Sequence, residues 1–85
     1  MTTAICPGSF DPITMGHLDV IVRASRMYSR VIVGVAENKG KNTLFSLEER
    51  KKMVEDALPR AKNIEVKVFD SLLVNFAREN DANVI

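Results

Sequence analysis

At 85 residues the chain holds at most one domain, and its 46% of hydrophobic residues is too high for a disordered segment. Its 12 basic and 11 acidic side chains nearly cancel, which excludes a strong overall field for nucleic acid or anionic membrane and leaves any anion binding to local groups. The single cysteine excludes an intramolecular disulfide, no apolar run approaches the ~20 residues of a membrane span, and the N-terminus lacks signal-peptide order, so a reducing, cytoplasmic setting is expected.

Ala4-Ile5-Cys6 is the first apolar run and predicts a strand, with Cys6 as a small buried hydrophobe. The segment Pro7-Gly8-Ser9-Phe10-Asp11-Pro12-Ile13-Thr14-Met15-Gly16-His17 follows and predicts the loop into a first helix starting near His17. In an α/β sheet ligands bind at this place, beyond the carboxyl end of a strand. Backbone amides at a helix start, the Ser9 hydroxyl and the His17 imidazole together suit a phosphate group. Gly16 lets a ligand come close to the backbone. His17, the only histidine, is a hydrogen-bond donor toward an oxyanion, while a lone histidine by position alone is as readily structural. Ser9 also fits plain turn chemistry. Asp11 is read first as a brace that accepts backbone hydrogens, with metal binding as the alternative.

The first helix is predicted from Leu18, Ile21, Val22, Ser25 and Met27-Tyr28. Val31-Ile32-Val33-Gly34-Val35 is nearly continuous in apolar character and predicts a strand covered on both faces. Glu37-Asn38-Lys39-Gly40-Lys41-Asn42-Thr43 then shares the rim of the first loop, and Lys39 and Lys41 are candidate phosphate clamps or plain surface lysines. A P-loop is excluded: Gly34 and Gly40 enclose five residues rather than four, and Lys41 is followed by Asn42. The second helix carries Leu47, Met53, Val54, Ala57 and Leu58, starts at a capping box with Ser46 as N-cap and Glu49 at N3, and stops before Pro59. Its run Glu48-Glu49-Arg50-Lys51-Lys52 is expected to be a solvated face with pairs such as Glu48 with Lys52; Arg50 turned back to the rim is the alternative not favoured.

Ile64, Val66 and Val68 alternate with Glu65 and Lys67, which predicts a third strand with one wetter face near a sheet edge. A third helix is predicted from about Ser71 or Leu72 to Asn80. Leu72, Phe76 and Ala77 are expected to pack on the sheet, and Leu73 is open between packing and lining a pocket. Asn83-Val84-Ile85 opens a fourth strand, which gives the order β-α-β-α-β-α-β and an α/β parallel sheet of Rossmann-like type. Because the sequence stops two residues into that strand, the chain is expected to be the N-terminal portion of a longer α/β domain. One Cys and one His make no zinc site, so chemistry is expected from positioning and charge stabilisation.

Pro7-Gly8-Ser9-Phe10-Asp11-Pro12-Ile13-Thr14 with Gly16-His17-Leu18-Asp19, Lys41 ahead of Leu44-Phe45-Ser46-Leu47-Glu48-Glu49-Arg50, and Leu72-Leu73-Val74-Asn75-Phe76-Ala77 resemble the bacterial phosphopantetheine adenylyltransferases in order and spacing. These belong to the nucleotidyltransferase superfamily with the T/H-x-G-H signature, here Thr14-Met15-Gly16-His17. The resemblance implies transfer of the adenylyl group of ATP to 4′-phosphopantetheine, giving dephospho-coenzyme A and pyrophosphate, with magnesium accompanying ATP. It implies that Ser9, Phe10 and His17 contact ATP, that His17 stabilises transition-state charge, and that Ser9, Lys41 and Leu73 hold the acceptor. It also implies a homo-oligomer, a hexamer in the family, with no nucleic-acid or membrane partner. The family's following R-G-L-R segment and I-S-S-T-like loop, which hold ATP, do not occur in this sequence. Two rival readings are a related nucleotidyltransferase with another acceptor, and a module that binds phosphopantetheine or coenzyme A without transferring anything.

Overall fold

A computed structural model describes residues 2–37, 42–70 and 72–84. Strand β1 (Thr3–Gly8) is followed by α1 (Met15–Met27), β2 (Arg30–Ala36), α2 (Leu47–Ala57), β3 (Ile64–Phe69) and α3 (Leu73–Glu79). The strands form one parallel sheet in the order β1-β2-β3, with Ile5 opposite Ile32 and Val33 opposite Val66. The start of the expected fourth strand is seen on the free side of β1. Ala4 bridges to Val84 in parallel, and the Ile5 N–H donates to the Val84 carbonyl over 2.8 Å. The chain therefore steps from β1 through β2 to β3 and returns to the other side of β1, the Rossmann-like arrangement that the alternating pattern predicts.

The side-chain period of two in β2 divides the core. Val31, Val33 and Val35 face α1 and α2 and join Phe10, Ile21, Val54 and Leu58 in one buried cluster. Ile32 faces the other way and joins Ile5, Phe76 and Ala77 under α3. Layers on opposite faces are what crossovers of one hand produce when the chain reverses across a sheet. Gly34 shares the α3 face, where the rings of Phe69 and Phe76 stack at 4.5 Å. A Cβ on Gly34 would lie 2.8 Å from Phe76 Cε2 and 3.0 Å from Phe69 Cε1, so only a glycine admits this close approach.

Helix α1 begins at Met15 rather than near His17, because Thr14 is its N-cap. Helix α2 keeps the predicted capping box: the Glu49 N–H donates to Ser46 Oγ over 3.2 Å and the Ser46 N–H to Glu49 Oε1 over 3.0 Å. Those bonds hold the Glu49 carboxyl below its ordinary value, the backbone N–H of Ser46 contributing most. The expected Glu48–Lys52 pair is not formed among the described residues; Lys52 pairs forward with Asp56 at 3.2 Å.

Among the described residues strand β3 pairs with β2 alone, as an edge strand should, and carries charges that discourage further pairing. Glu65 takes Arg30 at 2.9 Å, and Lys67 donates to Asn80 Oδ1 over 2.6 Å. Phe76 and Ala77 pack on the sheet as expected, but Leu72, the N-cap of α3, is 71% exposed because it precedes the helical turn that meets the sheet. Met27 is likewise exposed at the last turn of α1.

Candidate functional site

The loop after β1 ends in a reciprocal cap. Thr14 Oγ1 accepts from the His17 N–H over 3.3 Å, and His17 Nδ1 accepts from the Thr14 N–H over 3.0 Å. Histidine thus fills the N3 place that Glu49 fills in α2. With Nδ1 occupied as an acceptor, the neutral ring carries its proton on Nε2, which leaves a donor at the far side of the imidazole. The Phe10 ring meets the imidazole edge-on, with centroids 5.0 Å apart at 73°. Phe10 is buried in the α1/α2 cluster and sits at φ +48°, a conformation that costs a bulky residue about 1–3 kcal/mol and that clusters at ligand sites.

Phe10, Thr14, Gly16 and His17, with Cys6, Val20 and Ile21, line an open cleft of about 410 Å3. It lies beyond β1, beside the point where the chain reverses across the sheet, which is where ligands enter this fold. His17 is exposed at its mouth while Ile21 forms its floor. Among the described residues a Cβ on Gly16 would meet only Thr14 Oγ1 at 3.7 Å, an ordinary contact, and Gly16 lines the cleft. Burial pushes the Cys6 thiol up from its ordinary value and keeps it neutral on the cleft wall.

Ser9 is exposed beside Phe10 on the rim and is not among the cleft-lining residues. Leu73 is half-buried at the first turn of α3 and packs against the cluster on the opposite sheet face. Lys39 and Lys41 lie outside the described residues. Asp11 does what the brace reading expects, on a different loop: its carboxylate accepts from the N–H groups of Leu44 (2.7 Å) and Phe45 (2.8 Å). Among the described residues no group of three or more His, Cys, Asp or Glu side chains could hold a metal.

Arg50 departs from the solvated face expected of it. It is 2% exposed, and its guanidinium donates to the carbonyls of Phe45 (3.1 Å), Ser9 (2.8 Å) and Ala36 (2.9 Å). A signal is present in the sequence: Arg50 falls on the stripe of Leu47, Val54 and Leu58, where a solvated face has no place.

A parallel sheet that reverses beside β1, with helices on both of its faces, is a Rossmann-like α/β fold. The same fold occurs in a bifunctional NMN adenylyltransferase/ADP ribose pyrophosphatase from Francisella tularensis (TM-score 0.69, 22% identity, 94% of this chain and 26% of that one). Residues 5–85 match the cytidylyltransferase-like family, and the chain belongs to it. Similar proteins named phosphopantetheine adenylyltransferase include those of Nautilia profundicola (52% identical over 84 residues, 99% of this chain and 54% of the relative) and Hahella chejuensis (51% over 85 residues, 100% and 53%). The chain spans about half the length of the curated relatives it matches.

Proposed function

We propose that this chain supplies the β1–α1 side of a phosphopantetheine adenylyltransferase site, which transfers the adenylyl group of ATP to 4′-phosphopantetheine and releases pyrophosphate, a step in coenzyme A biosynthesis. One observation carries the reading: an exposed imidazole with its acceptor nitrogen occupied and its donor nitrogen without a partner among the described residues, at the cleft beyond β1 of a chain about half identical to proteins of that name.

In the reaction the acceptor phosphate attacks the α-phosphorus of ATP and pyrophosphate leaves. No covalent bond to the protein is needed. His17 donates from Nε2 to phosphate oxygens as charge builds on them, and its ring is already fixed by Thr14 and Phe10. Such preorganised donors lower a barrier because they need no reorientation during reaction. Ser9 and Phe10 form the turn against ATP, Ser9 also meets the acceptor phosphate, Lys41 clamps that phosphate, and Leu73 borders the pantetheine arm. The described residues do not furnish a magnesium site, since Asp11 is spent on two amides and no acidic cluster exists among them. In this reading magnesium accompanies ATP, as part of the substrate. A cytoplasmic setting and a homo-oligomer of the complete protein belong to the same proposal; among the described residues no helix is long and apolar enough to cross a membrane.

A second reading follows from the half-length match: a module that binds phosphopantetheine or coenzyme A and transfers nothing. Calorimetry with 4′-phosphopantetheine, followed by a pyrophosphate-release assay with ATP, separates the two. Release, from this chain alone or joined to the remaining half of a relative, supports transfer. Binding without release in both forms supports the second reading, and neither binding nor release overturns both.

A further inference from the structure

Arg50 carries a buried positive charge, yet among the described residues it forms no ion pair with a carboxylate. Burying a charge is costly unless hydrogen bonds compensate it, and among the described residues the compensation comes from three main-chain carbonyls. Their distribution is informative. Ser9 follows β1, Ala36 is the last residue of β2 and Phe45 immediately precedes the N-cap of α2, so all three lie at the rim, at or beyond the carboxyl ends of the strands. Asp11 closes the circuit from the other loop: it accepts from the Phe45 N–H while Arg50 donates to the Phe45 carbonyl. Phe45 is thus gripped at both of its main-chain polar groups, by an anion from the first loop and a cation from α2.

Resting on the reading that the rim receives substrate phosphates, we propose that Arg50 is a positioning residue of that site: it registers the Ser9–Phe10 turn against the β2–α2 connection before any ligand arrives. The path is short. Arg50 holds the Ser9 carbonyl, Phe10 follows in the chain at its left-handed φ, and the Phe10 ring lies against His17. The guanidinium also engages the negative ends of the Ser9 and Ala36 peptide dipoles, which would otherwise oppose an anion at the rim. A lysine keeps the charge but loses the planar fork that reaches several acceptors at once.

The test compares the wild-type chain with Arg50→Lys, Arg50→Met and Val54→Ala. The last removes buried volume from the same helix without touching the rim. Amide hydrogen exchange at Leu44 and Phe45 is read relative to Ile32, and tripolyphosphate is titrated by calorimetry. Val54→Ala lowers the melting temperature and leaves both relative protection and affinity as in wild type. Arg50→Met loses protection at Leu44 and Phe45 and binds tripolyphosphate on the order of tenfold more weakly, the scale of one charge-assisted bond, with Arg50→Lys between. If Arg50→Met does not fold, Arg50→Lys decides by the same two readouts. Unchanged protection and affinity in the folded Arg50 variants overturn the proposal. If the wild-type chain binds no tripolyphosphate, the reading of the rim as a phosphate site fails by itself, and the exchange data still decide: lost protection upholds the registering role, unchanged protection overturns it.

Discussion

The Thr14 N–H and the His17 imidazole share one hydrogen bond, 3.0 Å long, that both caps α1 and fixes the ring. Helix start and ring orientation are therefore one structural event. Thr14→Val keeps the shape and removes the hydroxyl that accepts the His17 N–H. It is expected to lower stability by about 0.5–2 kcal/mol, with Thr14→Ser recovering most of it. Urea unfolding of the three proteins checks this, and equal midpoints for the wild-type chain and Thr14→Val would show that the cap contributes nothing.

His17→Ala tests the chemistry assigned to the ring. In a form of the protein that releases pyrophosphate, it is expected to lower turnover by about 10²–10³, the scale for one oxyanion donor, with substrate affinities changed far less. Steady-state kinetics with ATP and 4′-phosphopantetheine give the answer; turnover retained in full would remove His17 from the reaction.

Gly34→Ala tests the aromatic lid on β2. The added methyl meets Phe76 at 2.8 Å in a filled layer, and overpacking of this kind costs about 1–3 kcal/mol. Phe76→Leu in the same chain opens room, so the double variant is expected to lose less than the sum of the singles. Additive losses in a denaturation cycle would mean that the two sites do not share the contact.

The capping box of α2 supplies a pH dependence of known sign. Ser46 holds the Glu49 carboxyl below its ordinary value of 4.5, so the folded state prefers the ionised form. The stabilisation is complete above that value and disappears as pH falls through the lowered folded value. Glu49→Gln keeps an acceptor oxygen and abolishes the titration. The stability gap between wild type and this variant is expected to narrow as pH falls through 4.5 and on through the lowered folded value, as followed by urea midpoints. A constant gap would assign Glu49 no role through its charge.

Cys6 gives a second titration. Its thiol is pushed above the ordinary value of 9.0 by burial, so at neutral pH it stays protonated and unreactive. Iodoacetamide is expected to modify it more slowly than a free thiol at every pH up to that value, and faster once the chain is unfolded in urea. Mass spectrometry follows the reaction; labelling of the folded chain at the free-thiol rate would place Cys6 in the open.

Most of the fold is legible in the sequence because its signals are local. Val31 to Val35 reads as a strand covered on both faces, and Ser46 with Glu49 reads as a helix start. The parallel sheet follows from alternation with helices. The candidate site is legible only in part. Asp11 stands out because it lies in a turn rich in Gly, Pro and Ser, and His17 because it directly follows that turn. Thr14 as a cap is hidden because histidine seldom fills the N3 place of a capping box. The burial of Arg50 is masked by its charged neighbours, which outweigh its place on the apolar stripe, and two of its partners lie 14 and 41 positions away in the chain. Leu72 and Met27 count as apolar but fall at helix ends, where the packed face has already turned away.

The central claim is that the cleft at His17 receives the phosphates of ATP. Side-chain and amide NMR signals of the chain titrated with magnesium-ATP test it most directly. The account predicts saturable shifts at the His17 ring nitrogen Nε2 and at the amides of Ser9, Phe10 and Thr14. Shifts absent there, or confined to the Lys67–Asn80 edge on the far side of the sheet, would contradict it.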